Sequence, residues 1–280
     1  SNHSYLLYFT DMGRVYRTKT YNIPEAGRTA KGTPVVNIIE KSPEEKISEI
    51  IPVKEFSDNE YLVMVTKNGV IKKTPASEYE SIRKSGKIAI TLKEGDELIS
   101  IFKTTGNDNI FLATRNGMAI CFNENDARAV GRTASGVKAI DLADGDYVVG
   151  AEPVREDSKV LLVTDGGYGK CTDLTSFRIQ HRGGKGLKAY KITEKTGNII
   201  GISMVNDSEE LIMVTSEGVV IRIRIKDIAT TTGRITQGVR LINLNDGVTV
   251  VSMDKISAED TVEEESEENN TEVTAETTEE

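Results

Sequence analysis

The chain has no tryptophan, two cysteines and two histidines among 280 residues, and each scarcity removes a class of function. Cys121 and Cys171 are too few for a disulfide scaffold, and with only His3 and His181 beside them no zinc-type ligand spacing exists. Both cysteines stand seven residues after a repeated threonine, so they read as structural equivalents rather than reactive groups. The absence of Trp argues against the Trp-Asp class of propeller repeats. No apolar run approaches the roughly 18 residues of a membrane helix, and the first residues lack the regions of a signal peptide; a soluble, intracellular protein with no membrane partner is expected. No Ser/His/Asp grouping or carboxylate pair stands out, so no catalytic and no metal-binding residue is assigned. Gly183-Gly184-Lys185-Gly186 looks like a fragment of a phosphate loop, but Gly186 stands where that motif needs Ser or Thr.

Net positive charge is missing as well. The 35 Lys+Arg face 44 Asp+Glu, a formal charge of -9 that speaks against a polyanionic partner. The average conceals a split. Residues 257–280 hold 11 acidic residues and no Lys or Arg, leaving residues 1–256 at +2. So polar a segment cannot bury enough apolar surface to offset an ordering cost of roughly 1 to 2 kcal/mol per residue, and 257–280 reads as a disordered acidic tail.

What is present is a repeat. An apolar run, a Thr, two turn residues, a Gly and a second strand recur at Thr10–Gly13, Thr66–Gly69, Thr114–Gly117, Thr164–Gly167 and Thr215–Gly218, with the glycines 56, 48, 50 and 51 residues apart. The preceding runs, such as Leu62-Val63-Met64-Val65 and Val160-Leu161-Leu162-Val163, are continuous and apolar, as in strands buried on both faces. A Gly with positive φ suits a tight, two-residue hairpin turn. Each unit goes on to an Arg- and Gly-containing loop, a third strand such as Val35–Ile39 or Ile88–Leu92, and a closing apolar strand. Four strands in about 50 residues make one propeller-type blade. The expected fold is all-β, with blades over about 5–56, 57–106, 107–156, 157–207 and 208–256.

An arginine recurs 17 to 19 residues after each repeat threonine, at Arg28, Arg83, Arg132, Arg182 and Arg234, with a Gly three or four residues on. Lys31, Lys84, Lys87, Lys138, Lys185, Lys188 and Arg240 lie nearby. One Arg-Gly loop is most often a solvated turn. Five at matched positions form a set that a bent phosphate backbone could contact. In Val220–Lys226 alternation turns Arg222, Arg224 and Lys226 away from Ile221, Ile223 and Ile225, and Lys72 and Lys73 occupy the corresponding strand of the second repeat, so the outer strands read as cationic.

Gln180-His181-Arg182-Gly183-Gly184-Lys185-Gly186 resembles the Gln-Arg-Arg-Gly-Gly-Lys-Gly box of the DNA gyrase A C-terminal domain, and Gly13–Tyr16, Tyr21–Glu25 and Lys31–Asn37 are similar to that domain too. The similarity runs from about Tyr5 to Ile256. It implies a β-pinwheel whose neighbouring blades exchange strands and whose basic perimeter wraps DNA, and in some members an acidic tail. Two features depart from the family pattern: five repeats stand in place of the usual six, with the box-like loop in the fourth, and His181 replaces an Arg. A first blade upstream of Ser1 would account for the former.

The resemblance implies sequence-nonspecific binding and chiral wrapping of double-stranded DNA, serving ATP-dependent negative supercoiling by a bacterial, cytoplasmic and nucleoid-associated A2B2 holoenzyme. The partners there would be the A-subunit core and the gyrase B subunit, and ATP and Mg2+ belong to the holoenzyme rather than to this segment. The expected DNA contacts are the box-like loop 180–186 together with Arg28, Lys31, Lys72, Lys73, Arg83, Lys84, Lys87, Arg132, Lys188, Arg222, Arg224, Arg234 and Arg240. The C-terminal domain of the topoisomerase IV A subunit is the alternative within the family, and a protein-binding propeller the alternative of another class. Residues 257–280 could lie on the basic rim as a DNA mimic, in which case their removal should tighten DNA binding at low salt.

Overall fold

A computed structural model describes residues 4–27 and 29–257. Arg28 and residues 258–280, and with them most of the expected acidic tail, lie outside the described residues. Among the described residues no helix is long and apolar enough to cross a membrane. The elements are strands and short 3-10 turns.

The first repeat contributes β1 (Tyr5–Thr10), β2 (Arg14–Lys19) and β3 (Ile47–Val53); the second β4 (Tyr61–Thr66), β5 (Val70–Pro75), β6 (Lys87–Ile88) and β7 (Leu98–Thr104). The third holds β8 (Asn109–Thr114), β9 (Met118–Asn123), β10 (Val137–Lys138) and β11 (Val148–Pro153); the fourth β12 (Lys159–Thr164), β13 (Tyr168–Asp173), β14 (Leu187–Lys188) and β15 (Ile199–Val205). The fifth holds β16 (Glu210–Thr215), β17 (Val220–Arg224), β18 (Thr230–Thr231), β19 (Val239–Arg240) and β20 (Val250–Ile256). They form five sheets, ordered β3-β1-β2-β6, β10-β5-β4-β7, β11-β8-β9-β14, β15-β12-β13-β18 with β19 also on β13, and β17-β16-β20. The fold class is all-β, with the five blades the repeat predicts.

The repeat threonine has a structural reason. In every hairpin the Thr carbonyl accepts from the turn glycine's N–H at 2.9–3.1 Å. Its hydroxyl accepts from the backbone N–H four residues on, at Arg14, Val70, Met118, Tyr168 and Val219, over 3.1–3.3 Å. The tips differ from the expected two-residue turn. Three residues separate the paired strands in the first four hairpins, as Lys67-Asn68-Gly69 does between β4 and β5. The glycine is the third, with φ between 74° and 86° in these four, the arrangement in which a left-handed residue closes a three-residue loop.

The middle strands are buried on both faces, as their unbroken apolar runs require. Leu62 and Met64 of β4 pack with Leu7, Phe9 and Val15 of the first sheet, while Val63 and Val65 pack with Ile110, Leu112 and Ile120 of the third. Leu161 and Val163 pack with Leu211 and Met213 in the same way. Each such side chain contributes roughly 1.5 to 3 kcal/mol on burial. The chain divides into two compact units, Ser1–Val154 with Arg178–Leu187, and Arg155–Phe177 with Lys188–Glu280. The first contains three sheets and the second two.

The third strand of each repeat is shorter than expected, and it pairs with the preceding repeat. β6 lies antiparallel to β2, β10 to β5 and β19 to β13, each over two residues. Ile88–Leu92 is thus a strand only at Ile88. Val35–Asn37 is a 3-10 turn rather than a strand, and among the described residues no strand pairs with it.

Candidate nucleic-acid interface

The loops that carry the repeated arginines leave the second strand of each sheet through a 3-10 turn, pass the arginine and reach a positive-φ glycine at Gly86, Gly136, Gly186 or Gly238. Those glycines press on the preceding repeat. A Cβ at Gly136, Gly186 or Gly238 would fall on the carbonyl oxygen of Ile71, Ala119 or Gly169, and one at Gly86 on the Tyr16 ring. Their lack of a side chain therefore serves blade-to-blade docking. Among the described residues Gly32 has nothing within 4 Å of such a Cβ.

The arginines are tied down by their guanidinium groups. Arg132 donates through Nη1 to the carbonyl of Ile88, Arg182 to that of Lys138 at 2.9 Å and Arg234 to that of Lys188 at 3.2 Å. Each acceptor lies on the short exchanged strand of the repeat before. Arg182 is fixed further by Asp126, whose carbonyl accepts from Nε at 2.8 Å and whose carboxylate accepts from the Arg182 N–H at 3.2 Å. The His181 ring lies 3.2 Å from the same carboxylate and is otherwise open to solvent. A guanidinium has five N–H donors, so these bonds orient the group and leave donors over. Arg83 is exposed and has no such stitch among the described residues.

Lys31, Lys84, Lys185 and Lys188 are exposed and Lys87 half-buried. Gln180 is half-buried, its N–H donating to the Cys121 carbonyl at 2.7 Å, and Gly183 and Gly184 hold the loop by bonds with Ala139 and Asp141. On β17 alternation holds: Arg222 and Arg224 are exposed, Ile221 and Ile223 half-buried. Arg222 pairs with Glu210, and Arg224 with Asp227 at 2.8 Å. Arg240 is exposed and donates to the Tyr168 hydroxyl at 3.0 and 3.2 Å, which holds that phenol below the usual tyrosine range.

Lys72 and Lys73 do not belong to the surface. They are 1% and 4% exposed. Lys73 meets Glu124 at 3.4 Å and lies over the Tyr61 ring at 4.9 Å, while the Lys72 ammonium donates to the carbonyls of Ala89 and Arg132. β5 is covered on both faces, so neither direction along the pleat reaches solvent. Missed altogether was Lys170, 0% exposed, which bonds the second unit's arginine loop as Lys72 bonds its own. Its signal was available in the repeat, since both stand six residues after the threonine.

The cations therefore sit on loops repeated along an all-β array. The family described as "DNA gyrase C-terminal domain, beta-propeller" matches residues 4–54, 60–105, 108–155, 158–206 and 209–257. The chain belongs to this family. It is 50% identical over 260 residues to the DNA gyrase A protein of Clostridium acetobutylicum, and 55% identical over 260 residues to that of Halalkalibacterium halodurans. Each alignment covers 93% of this chain and 31% of the relative, so the chain spans about a third of the length of these relatives. Among solved structures it is similar to the C-terminal domain of DNA topoisomerase IV, with a TM-score of 0.86 and 29% identity over 92% of this chain and 80% of the other. Similarity to a DNA gyrase A C-terminal domain gives a TM-score of 0.78 and 25% identity over 91% and 83%. The five matched segments each hold one hairpin, and the arginine loop of this family member lies inside each.

Proposed function

We propose that this family member binds duplex DNA without reading its sequence and wraps it with a fixed hand. The observation that carries the reading is the recurrence of a docked arginine loop: Arg132, Arg182 and Arg234 are each pinned to the exchanged strand of the preceding repeat, at one place in the architecture. Preset cations that recur once per repeat suit a backbone whose charges also recur regularly. The proposed contacts are the loop 180–186, Arg28, Lys31, Arg83, Lys84, Lys87, Arg132, Lys188, Arg222, Arg224, Arg234 and Arg240; the buried Lys72 and Lys73 leave that set. Bending a short duplex costs roughly 1 to 6 kcal/mol, which several phosphate contacts must offset.

In the larger enzyme the wrapped segment would pass to an A-subunit core and a gyrase B subunit in the bacterial cytoplasm, with ATP and Mg2+ used there. Among the described residues no group of three or more His, Cys, Asp or Glu is placed to hold a metal; the role proposed for this chain is to hold DNA. The higher TM-score against the topoisomerase IV domain favours the C-terminal domain of a topoisomerase IV A subunit as the second reading, and for it we propose that DNA is bound and bent without a fixed hand. Sealing nicked circles with and without the chain separates the two. Wrapping predicts a linking-number change of constant sign that grows with the amount of chain bound; bound DNA with no change would leave the second reading.

A further inference from the structure

Lys72 and Lys170 take no part in the contacts just proposed, yet each touches a loop that does. They stand at the same place on β5 and β13, buried, with no carboxylate in ion-pair range among the described residues. Backbone and hydroxyl oxygens surround them instead. The Lys72 ammonium donates to the carbonyls of Ala89 and Arg132. That of Lys170 donates to the carbonyl of Arg234, to that of Gly233 at 3.4 Å and to the Thr236 hydroxyl at 3.1 Å. In both cases the loop arginine's own carbonyl is an acceptor. Burying an ammonium is costly, and an apolar side chain of equal length would fill the space without that cost. What the ammonium supplies is a charge-assisted bond to the arginine's own carbonyl, which has no other donor among the described residues, whereas the carbonyls of Ala89 and Gly233 also accept from the hydroxyls of Tyr79 and Thr231.

The same register in the other sheets holds Tyr16, Ile120 and Ile221. Tyr16 packs its ring against the loop at Gly86. Ile120 can make no such bond, and there the loop is held from outside by Asp126. Among the described residues no carboxylate bonds Arg132 or Arg234 as Asp126 bonds Arg182, although Glu78 stands at the place in the second repeat that Asp126 holds in the third. Their loops are held from inside, by the lysine at the carbonyl and by the exchanged strand at the guanidinium.

We propose that Lys72 and Lys170 are positioning residues for DNA binding, each clamping the backbone of one arginine loop and thereby setting where the Arg132 or Arg234 guanidinium stands. The proposal rests on the DNA-wrapping reading for its consequence but not for the clamp. In the full chain K72M should speed hydrogen exchange of the bonded amides Val130 and Ala134 tenfold or more, and K170M should do the same at Leu241 and its loop. Each should weaken binding of a duplex of mixed sequence about fivefold. Because the lysine acts through the arginine, K72M/R132A should bind DNA no more weakly than R132A alone, whereas a role in bulk stability would lower both alike. Unchanged exchange in the loop, or additive losses in the double variant, would overturn the clamp. Wild-type affinity in R132A would instead overturn the DNA role of that loop, and the exchange data would still decide the clamp. Should K72M not fold, K170M and K72Q put the same question.

Discussion

Burial, reinforced by the neighbouring Arg132, lowers the pKa of the Lys72 ammonium to about 7, and burial with Arg234 lowers that of Lys170 to about 8. An unfolded lysine titrates near 10.4. Between the two values the unfolded chain binds more protons than the folded one, so the penalty these lysines impose is complete below their folded pKa and is relieved as the pH rises. Glu78, facing Lys72, opposes the shift without reversing it. The urea midpoint of the chain should therefore climb between pH 7 and pH 9, and K72M should flatten that climb. An equal climb in K72M would show that other groups set it. Both lysines could have been placed from sequence. Lys72 and Lys73 are neighbours on a strand and must face opposite sides, so at least one points inward; the charge of the pair concealed that. By contrast, Arg222 and Arg224 alternate with isoleucines, and their exposure follows from period two alone.

At the scale of the element, hairpins were legible in the residues themselves, whereas strand exchange entered only through the family resemblance. Thr, turn and Gly form a local unit whose bonds close within five residues, so each copy announces itself. β6, β10 and β19 are two residues long and exist only because a strand some 70 residues away in the chain offers an edge. No local pattern encodes that, and Val35–Asn37, an apolar run that reads equally well as a strand, forms a 3-10 turn instead. The glycines make the difference measurable. G186A would strain a residue at φ 73° and also drive its Cβ into the Ala119 carbonyl, whereas G32A, at φ 72°, meets only the strain. Left-handed strain alone costs roughly 1 to 2 kcal/mol. G32A should therefore lose about 1 kcal/mol in chemical denaturation, and G186A about 3 kcal/mol or fail to dock its loop, visible as faster exchange of the Gly183 amide that bonds Ala139. Equal losses would mean that the close approach at Ala119 carries no energy.

At the scale of the whole molecule the net charge of -9 argues against a polyanion, and the distribution of charge argues for one. The described repeats lie within residues that sum to +2, and part of their acidity is internally engaged: Glu124 by Lys73, Thr104 and two backbone amides, Asp126 by Arg182 and His181, Glu210 by Arg222. Cations that bind carbonyls keep their full charge, because a carbonyl does not neutralise it. Arg132, Arg182 and Arg234 are of that kind, so their field persists outward although their positions are fixed. If about six phosphates are neutralised on binding, log affinity should fall with log salt at a slope of roughly -5, about a thousandfold between 50 and 200 mM. Sequence should matter little, since among the described residues no element is built to enter a groove and read base edges. Anisotropy titrations of duplexes of two unrelated sequences across that salt range measure both points. R182A/K185A should reduce the slope by about two, one for each lost phosphate partner, while C121A leaves it unchanged. A slope near zero, or affinity that follows sequence and ignores salt, would mean that the arginine loops hold blades together and do nothing else.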